Sequence, residues 1–135
     1  METFDSTKRS LFEILKDVHS GKIQLPDFQR GWIWDDNRIK GILASIAKFF
    51  PIGAVMLLET GNESVRFKTK PVEGVKLDNE VKPELLILDG QQRITSLYQT
   101  IITNEIVTTK NEKNYAIKRW YYIDMVKAMD ENCDL

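Results

Sequence analysis

The side chains with the clearest chemical potential in this chain form one short polar run, Asp89-Gly90-Gln91-Gln92-Arg93. The run directly follows four apolar residues and precedes a helical pattern. Where a buried strand enters a helix through a glycine, free backbone amides and the helix dipole together favour an anion. Gly90 allows a close approach to phosphate, and Arg93 supplies a fork of donors from the first helical turn. The run therefore predicts a phosphate-binding turn.

Three side chains of this run are candidate catalytic groups. Asp89 is its central carboxylate, and it could hold a magnesium ion through water, orient an arginine or position an attacking water. Gln91 or Gln92 could hold a water or the edge of a base. The structural alternative is that Asp89 only caps the helix while Arg93 makes a surface ion pair. Paired glutamines have little capping value, so we favour the functional interpretation.

A second candidate site lies earlier in the chain, in the segment Phe28-Gln29-Arg30-Gly31-Trp32. An arginine between aromatic residues can stack on a ring while its donors face a phosphate, a geometry that lysine cannot copy. We assign Arg30 to function and interpret the rings of Phe28, Trp32 and Trp34 as core anchors of a packed loop. The predicted phosphate-binding set comprises Arg30, Gln29, Gly90, Arg93 and Thr95.

Composition excludes several kinds of chemistry. The 19 basic and 20 acidic residues among 135 leave a formal charge of -1, so nucleic-acid binding would need a local cluster. The single histidine, His19, excludes a two-histidine zinc site and a Ser-His-Asp triad. The single cysteine, Cys133, excludes a disulfide framework. No apolar run approaches the roughly 20 residues that span a bilayer, and a cytoplasmic location is expected.

The elements that must position these residues follow from periodicity and punctuation. Helices are predicted from Ser6 to Ser20, from Asp35 or Asp36 to before Pro51, and through Ile94 to Ile102. Extended segments are predicted at 22–25, within 53–59, at 85–88 as a central strand, and at 119–123. A hairpin and a mobile loop are expected in 60–83, and an exposed hairpin or loop in 104–114. Without a regular βαβ rhythm, the fold class is α+β or mixed α/β rather than a doubly wound sheet.

Three segments resemble signatures of the amino-terminal domain of GmrSD-type restriction proteins. They are Leu25 to Trp34, Phe50-Pro51-Ile52-Gly53 and Ile87 to Thr95, and their order and spacing cover roughly residues 8 to 103. The resemblance implies an α+β, ParB/sulfiredoxin-like fold, a small mixed sheet flanked by helices. It also implies that the D-G-Q-Q-R turn takes part in nucleotide binding and hydrolysis that regulates cleavage of modified or foreign DNA. Sulfiredoxin chemistry itself does not carry over, because Gln91 and Gln92 stand where those enzymes place a cysteine.

The resemblance sets the remaining expectations. Residues 1–135 are expected to be a single domain, a fragment of a longer protein whose helical and nuclease regions are absent, so cleavage is not expected from it. The expected ligand is a nucleoside triphosphate, GTP or ATP, and the expected partners are a downstream nuclease domain and, as an open alternative, DNA; no membrane is expected. Magnesium binding and homo-oligomer formation are left open.

Two rival functions remain at this point. The first is a module that binds the DNA backbone or senses a DNA modification without hydrolysing anything. The second is a purely structural docking domain, in which a side chain of the same protein fills the turn.

Overall fold

The computed structural model describes residues 10–48, 53–60, 68–103 and 105–122. Within these ranges the helices are α1 (Leu11–Ser20), α2 (Asp36–Ala47), α3 (Gln91–Leu97) and a π-helical segment (Tyr98–Ile102) that continues α3. The strands are β1 (Ile23–Pro26), β2 (Met56–Glu59), β3 (Thr69–Lys70), β4 (Leu85–Asp89), β5 (Val107–Lys110) and β6 (Ala116–Arg119). The predicted α+β class is confirmed.

Local signals explain the two ends of α1. Ser10 has an extended backbone, and its Oγ accepts a hydrogen bond from the Glu13 amide at 3.1 Å, so α1 begins at Leu11. The predicted start of this helix, Ser6, lies outside the described residues. Gly21 ends the helix in the left-handed conformation, with φ of 87°, and its amide donates to the Val18 carbonyl. The buried side chains Leu15 and Val18 face the core.

The main sheet has the strand order β2-β4-β1-β3. The predicted central strand is confirmed, because β4 pairs with β1 on one side and β2 on the other, and Leu86 and Ile87 are buried. β1 and β4 are parallel, with Ile23 opposite Leu85. The carboxyl ends of parallel strands lie at the same sheet edge. The loop after β1 and the turn after β4 therefore emerge side by side.

The core lies between this sheet and the helices. Residues from α1, α2, α3 and three strands or loops form one buried cluster: Leu15, Val18, Ile23, Leu25, Ile42, Val72, Ile87, Ile94, Leu97 and Tyr98. The predicted stripe of α3 is confirmed at Ile94, Leu97 and Tyr98, although the last turns adopt the π-helical form. The Asp35 carboxylate caps α2 by accepting from the Arg38 amide at 3.0 Å.

The hairpin expected in 104–114 is confirmed, whereas the strand predicted at 119–123 needs correction. The segment 104–114 contains β5, and β6 runs over Ala116–Arg119 rather than starting at Arg119; the predicted residue 123 lies outside the described residues. β5 and β6 form a separate antiparallel hairpin, closed by Asn111, whose Oδ1 accepts from the amides of Lys113 and Tyr115. Because β5 contains two threonines, its sequence lacks the alternation of apolar and polar residues that indicates a strand.

In the segment 60–83, where a hairpin and a loop were expected, the described strand is β3. β3 pairs antiparallel with β1, so it closes the sheet edge beside the loop after β1. Residues 61–67, where the turn was expected, lie outside the described residues. Across the described ranges, every helix falls short of the length and apolarity needed to cross a bilayer.

Candidate functional site

A cleft of about 210 Å³ opens at the sheet edge where β1 and β4 both end. The loop after β1 contributes Gln29, Arg30 and Trp34 to its lining, and the end of β4 with the first turn of α3 contributes Leu88 to Arg93. The predicted site residues are thus brought together from two distant segments, with the exception of Thr95. This juxtaposition follows from the parallel pairing of β1 with β4.

Gly90 makes the turn between β4 and α3. Its φ is 97°, and a Cβ at this position would lie 3.0 Å from Val55 Cγ2 and 3.2 Å from Arg93 Nη2. Both the left-handed backbone and the close packing favour glycine. No side chain caps the start of α3, so Asp89 does not take the capping role considered as the structural alternative. The Asp89 side chain is 75% exposed at the mouth of the cleft.

Arg93 is fixed by the backbone that precedes β2. Its Nη2 donates to the Ala54 carbonyl at 2.8 Å and lies 3.9 Å from Asp89 Oδ2. Gly53 has φ of 95°, and a Cβ there would overlap Arg93 Nη1. Sequence reasoning did not connect Gly53 or Ala54 with the site. The Phe50-Pro51-Ile52-Gly53 segment was noted as a family signature, but the sequence did not show that Gly53 lies against Arg93.

Gln91 and Gln92 both bind the loop after β1. The buried Gln91 donates from Nε2 to the Arg30 carbonyl. Gln92 donates from Nε2 to the Gly31 carbonyl at 3.1 Å, and its Oε1 accepts from the Ile33 amide at 2.8 Å. The two glutamines therefore tie the loop to the turn, while their catalytic role stays a prediction.

Further hydrogen bonds hold the same loop against the sheet. Gln29 Nε2 donates to the Leu88 carbonyl at 3.2 Å, and Lys70 Nζ donates to the Gln29 carbonyl at 2.6 Å. On the other side, Trp32 Nε1 donates to Ser96 Oγ at 2.9 Å. The predicted packing of this loop is confirmed.

The aromatic residues of the loop do not all behave as predicted. Phe28 is 68% exposed, so its assignment as a core anchor was wrong. Trp34 is partly buried against the core and also lines the cleft, a position that sequence reasoning did not foresee. An aromatic ring can serve a core or a ligand site, and composition alone does not separate the two.

Arg30 and Thr95 differ most in their availability to a ligand. The exposed Arg30 lines the cleft, and its guanidinium has no hydrogen-bond or ion-pair partner among the residues that the structure describes. Thr95 is fully buried and outside the cleft lining, and its Oγ1 has no partner within the same described ranges. Arg30, Arg93 and Asp89 together give the cleft a formal charge of +1. Thr95 as a phosphate ligand stays a prediction.

The described residues contain no group of three or more His, Cys, Asp or Glu placed to hold a metal ion. Asp89 is the carboxylate that lines the cleft. A magnesium ion here would need its remaining oxygen ligands from water and from a bound phosphate chain.

Comparisons with known proteins agree with the motif resemblance. The family described as GmrSD restriction endonuclease, N-terminal domain, matches residues 11–133. The uncharacterized protein MJ0686 of Methanocaldococcus jannaschii is 32% identical over an alignment of 138 positions, gaps included, which covers 99% of this chain. The chain spans 23% of the length of that relative. From the motifs, the fold and the family match together, the chain belongs to the family of N-terminal domains of GmrSD restriction endonucleases.

Proposed function

We propose that this domain binds a nucleoside triphosphate, GTP or ATP, in the cleft and hydrolyses it as the regulatory domain of a DNA restriction protein in antiphage defence. The observation that carries the proposal is that Arg30 and Arg93, from two distant segments, line one cleft of positive formal charge. Guanidinium groups bind phosphate oxygens in a bidentate manner, and two of them suit a chain of phosphates.

The two walls of the cleft contribute differently to the proposed binding. Arg93 is held in place by the Ala54 carbonyl, whereas Arg30 offers a guanidinium that the described residues leave unpaired. Gly90 has no side chain to keep a phosphate away from the turn. Trp34 supplies an aromatic side chain at the same cleft, against which a base could pack.

Asp89 is the group best placed to promote hydrolysis. In the proposed step, water attacks the γ-phosphorus and its proton passes to the Asp89 carboxylate or to a phosphate oxygen. The bond to the bridging oxygen breaks, and a nucleoside diphosphate and inorganic phosphate leave. The exposed Asp89 would hold a magnesium ion through water, and the ion would neutralise charge on the phosphates.

Regulation of DNA cleavage is also part of the proposed function. The family description names a restriction endonuclease, and the chain spans 23% of its curated relative, which leaves room for other domains there. In the proposed arrangement, occupancy of the cleft controls a nuclease domain elsewhere in the full-length protein.

Binding and turnover of GTP and ATP by wild type, Asp89→Ala and Arg93→Ala test the proposal. We expect Arg93→Ala to weaken nucleotide binding about tenfold or more, because a charged hydrogen bond contributes about 1.5–3 kcal/mol. Asp89→Ala should retain binding and lose turnover. Arg38→Ala, at an exposed arginine of α2 outside the cleft, is the matched control and should match wild type. Identical behaviour of all four proteins would refute the proposal.

Titration with duplex and single-stranded DNA separates the proposal from its main rival. A DNA-backbone module would lose affinity for DNA steeply as salt rises, because each phosphate contact releases a counterion. Steeply salt-dependent DNA binding without nucleotide turnover would favour that rival.

A further inference from the structure

The loop after β1 carries Arg30, but it is held by side chains from the other wall of the cleft. Gln92 engages two backbone groups of the loop, the Gly31 carbonyl at 3.1 Å and the Ile33 amide at 2.8 Å. Gln91 adds a third bond, to the Arg30 carbonyl. The peptide groups on the carboxyl side of Arg30 are therefore fixed by the D-G-Q-Q-R turn.

We infer that Gln92 is a positioning residue, which sets the place of the Arg30 guanidinium in the nucleotide cleft by clasping the backbone at Gly31 and Ile33. The inference rests on the proposed function, and it assigns Gln92 a role different from the predicted catalytic one.

The hydrogen-bonding capacity of Gln92 supports this role. A primary amide has one carbonyl oxygen and one NH₂ group, and Gln92 places both on the loop backbone. To orient an attacking water, the Gln92 side chain would have to break at least one of these two hydrogen bonds to the loop. The pair of bonds also brackets Trp32, whose indole is separately fixed by Ser96.

Arg30 is the residue for which such positioning matters most. Arg93 is fixed through its own guanidinium by Ala54, whereas the Arg30 side chain has no partner among the described residues. Where Arg30 can reach is therefore set by its backbone. Ordering a long side chain on binding costs conformational entropy. A fixed backbone lowers this cost, because the free protein then samples fewer conformations of Arg30.

The test uses Gln92→Met, which keeps a similar side-chain length and removes both bonds, with Arg30→Ala and the double variant. Without nucleotide, we expect hydrogen exchange at the Ile33 amide to accelerate about tenfold in Gln92→Met. With nucleotide, KM should rise about tenfold with kcat within twofold, as for loss of a contact made equally in the ground and transition states. In the Arg30→Ala background, Gln92→Met should add less than about twofold. Asn37→Leu is the control, because its Nδ2 donates to Glu112 in the larger cleft, away from the loop after β1.

The outcomes are distinguishable. A loss of kcat at unchanged KM, or a Gln92→Met effect of equal size with and without Arg30, would overturn the inference and favour a catalytic Gln92. Unchanged exchange at Ile33 would overturn it as well. Absence of GTP and ATP binding by the wild-type protein would instead overturn the proposed function, and this inference with it.

Discussion

Two polar clefts of this domain differ in how their charges are used. The larger, of about 360 Å³, lies between the start of α2 and the β5–β6 hairpin. Its lining comprises Asp36, Asn37, Lys40, Asn111, Glu112 and Lys113. The smaller, of about 210 Å³, contains the predicted site. If the functional site were chosen by volume alone, the larger cleft would be selected, although it contains none of the motif residues.

Net charge and the partners of Asp36 distinguish the two clefts. In the larger one, Asp36 binds Lys40 Nζ at 2.9 Å and accepts from the Tyr121 hydroxyl at 2.7 Å, and Asn37 donates to Glu112 at 2.7 Å. Its two carboxylates and two lysines also sum to zero. The smaller cleft has a formal charge of +1 and the unpaired guanidinium of Arg30. The hydrogen bonds of the larger cleft thus join α2 to the hairpin, while the smaller cleft keeps a net positive charge, which suits the proposed ligand.

The largest expected effect comes from reversing one charge in each cleft. Arg30→Glu changes the smaller cleft from +1 to -1, and we expect nucleotide affinity to fall about 100-fold, since a favourable charged contact becomes a repulsive one. Lys113→Glu makes the same change in total charge at the larger cleft and should change affinity less than about threefold. Calorimetric titration at fixed ionic strength measures both. Equal losses would show that the net charge of the domain, and not the cleft, controls binding.

Gly53→Ala is expected to have the next largest effect, because it disturbs the anchor of Arg93. The left-handed backbone costs a non-glycine residue about 1–3 kcal/mol, and the new Cβ must displace the guanidinium. Denaturant unfolding should show this loss of stability, together with weaker nucleotide binding. Gly41→Ala is the control, since a Cβ there meets nothing within 4 Å. If Gly53→Ala bound nucleotide with wild-type affinity, the proposed role of Arg93 in nucleotide binding would be contradicted.

Tyr121→Phe tests the structural assignment of the larger cleft. The variant removes the hydroxyl that donates to the buried Asp36, and we expect the free energy of unfolding to fall by about 1.5 kcal/mol. Nucleotide affinity should stay at the wild-type value. A large loss of affinity with unchanged stability would reverse the assignment of the two clefts. Tyr122→Phe, at an exposed tyrosine, serves as the control.

The smallest expected effect is a pH dependence of stability from Asp36. Burial raises the pKa of Asp36, but the hydrogen bonds from Tyr121 and Lys40 and the charge of Lys40 outweigh it, so the pKa lies below the ordinary 3.8. A carboxyl whose pKa is lower in the folded state stabilises the fold above its ordinary pKa. This stabilisation is lost as pH falls through the folded value. Unfolding measured from pH 7 to pH 2 should show a shallower acid loss in Asp36→Asn than in wild type, and equal slopes would contradict the assignment.

Much of the site could be predicted because its ingredients are local. The buried run before Asp89, the glycine turn and the following helical stripe are readable from neighbouring residues, and α3 and β4 lie where they were predicted. The predictions failed where the signal was not local. Phe28 is exposed although it is a large ring, and the strand predicted at 119–123 lies instead at Ala116–Arg119. Side-chain type alone does not report what packs against it.

The sequence by itself determined the family, the glycine turn between a buried strand and a helix, and most helices and strands, since these depend on motifs and on spacing along the chain. Only the tertiary structure decided that Arg30 and Arg93 line one cleft, because the parallel pairing of β1 and β4 joins segments far apart in sequence. It also decided that Gln92 binds the loop backbone and that Arg93 lies against Gly53. A hydrogen bond between distant segments depends on their relative placement, which the periodicity of either segment does not contain.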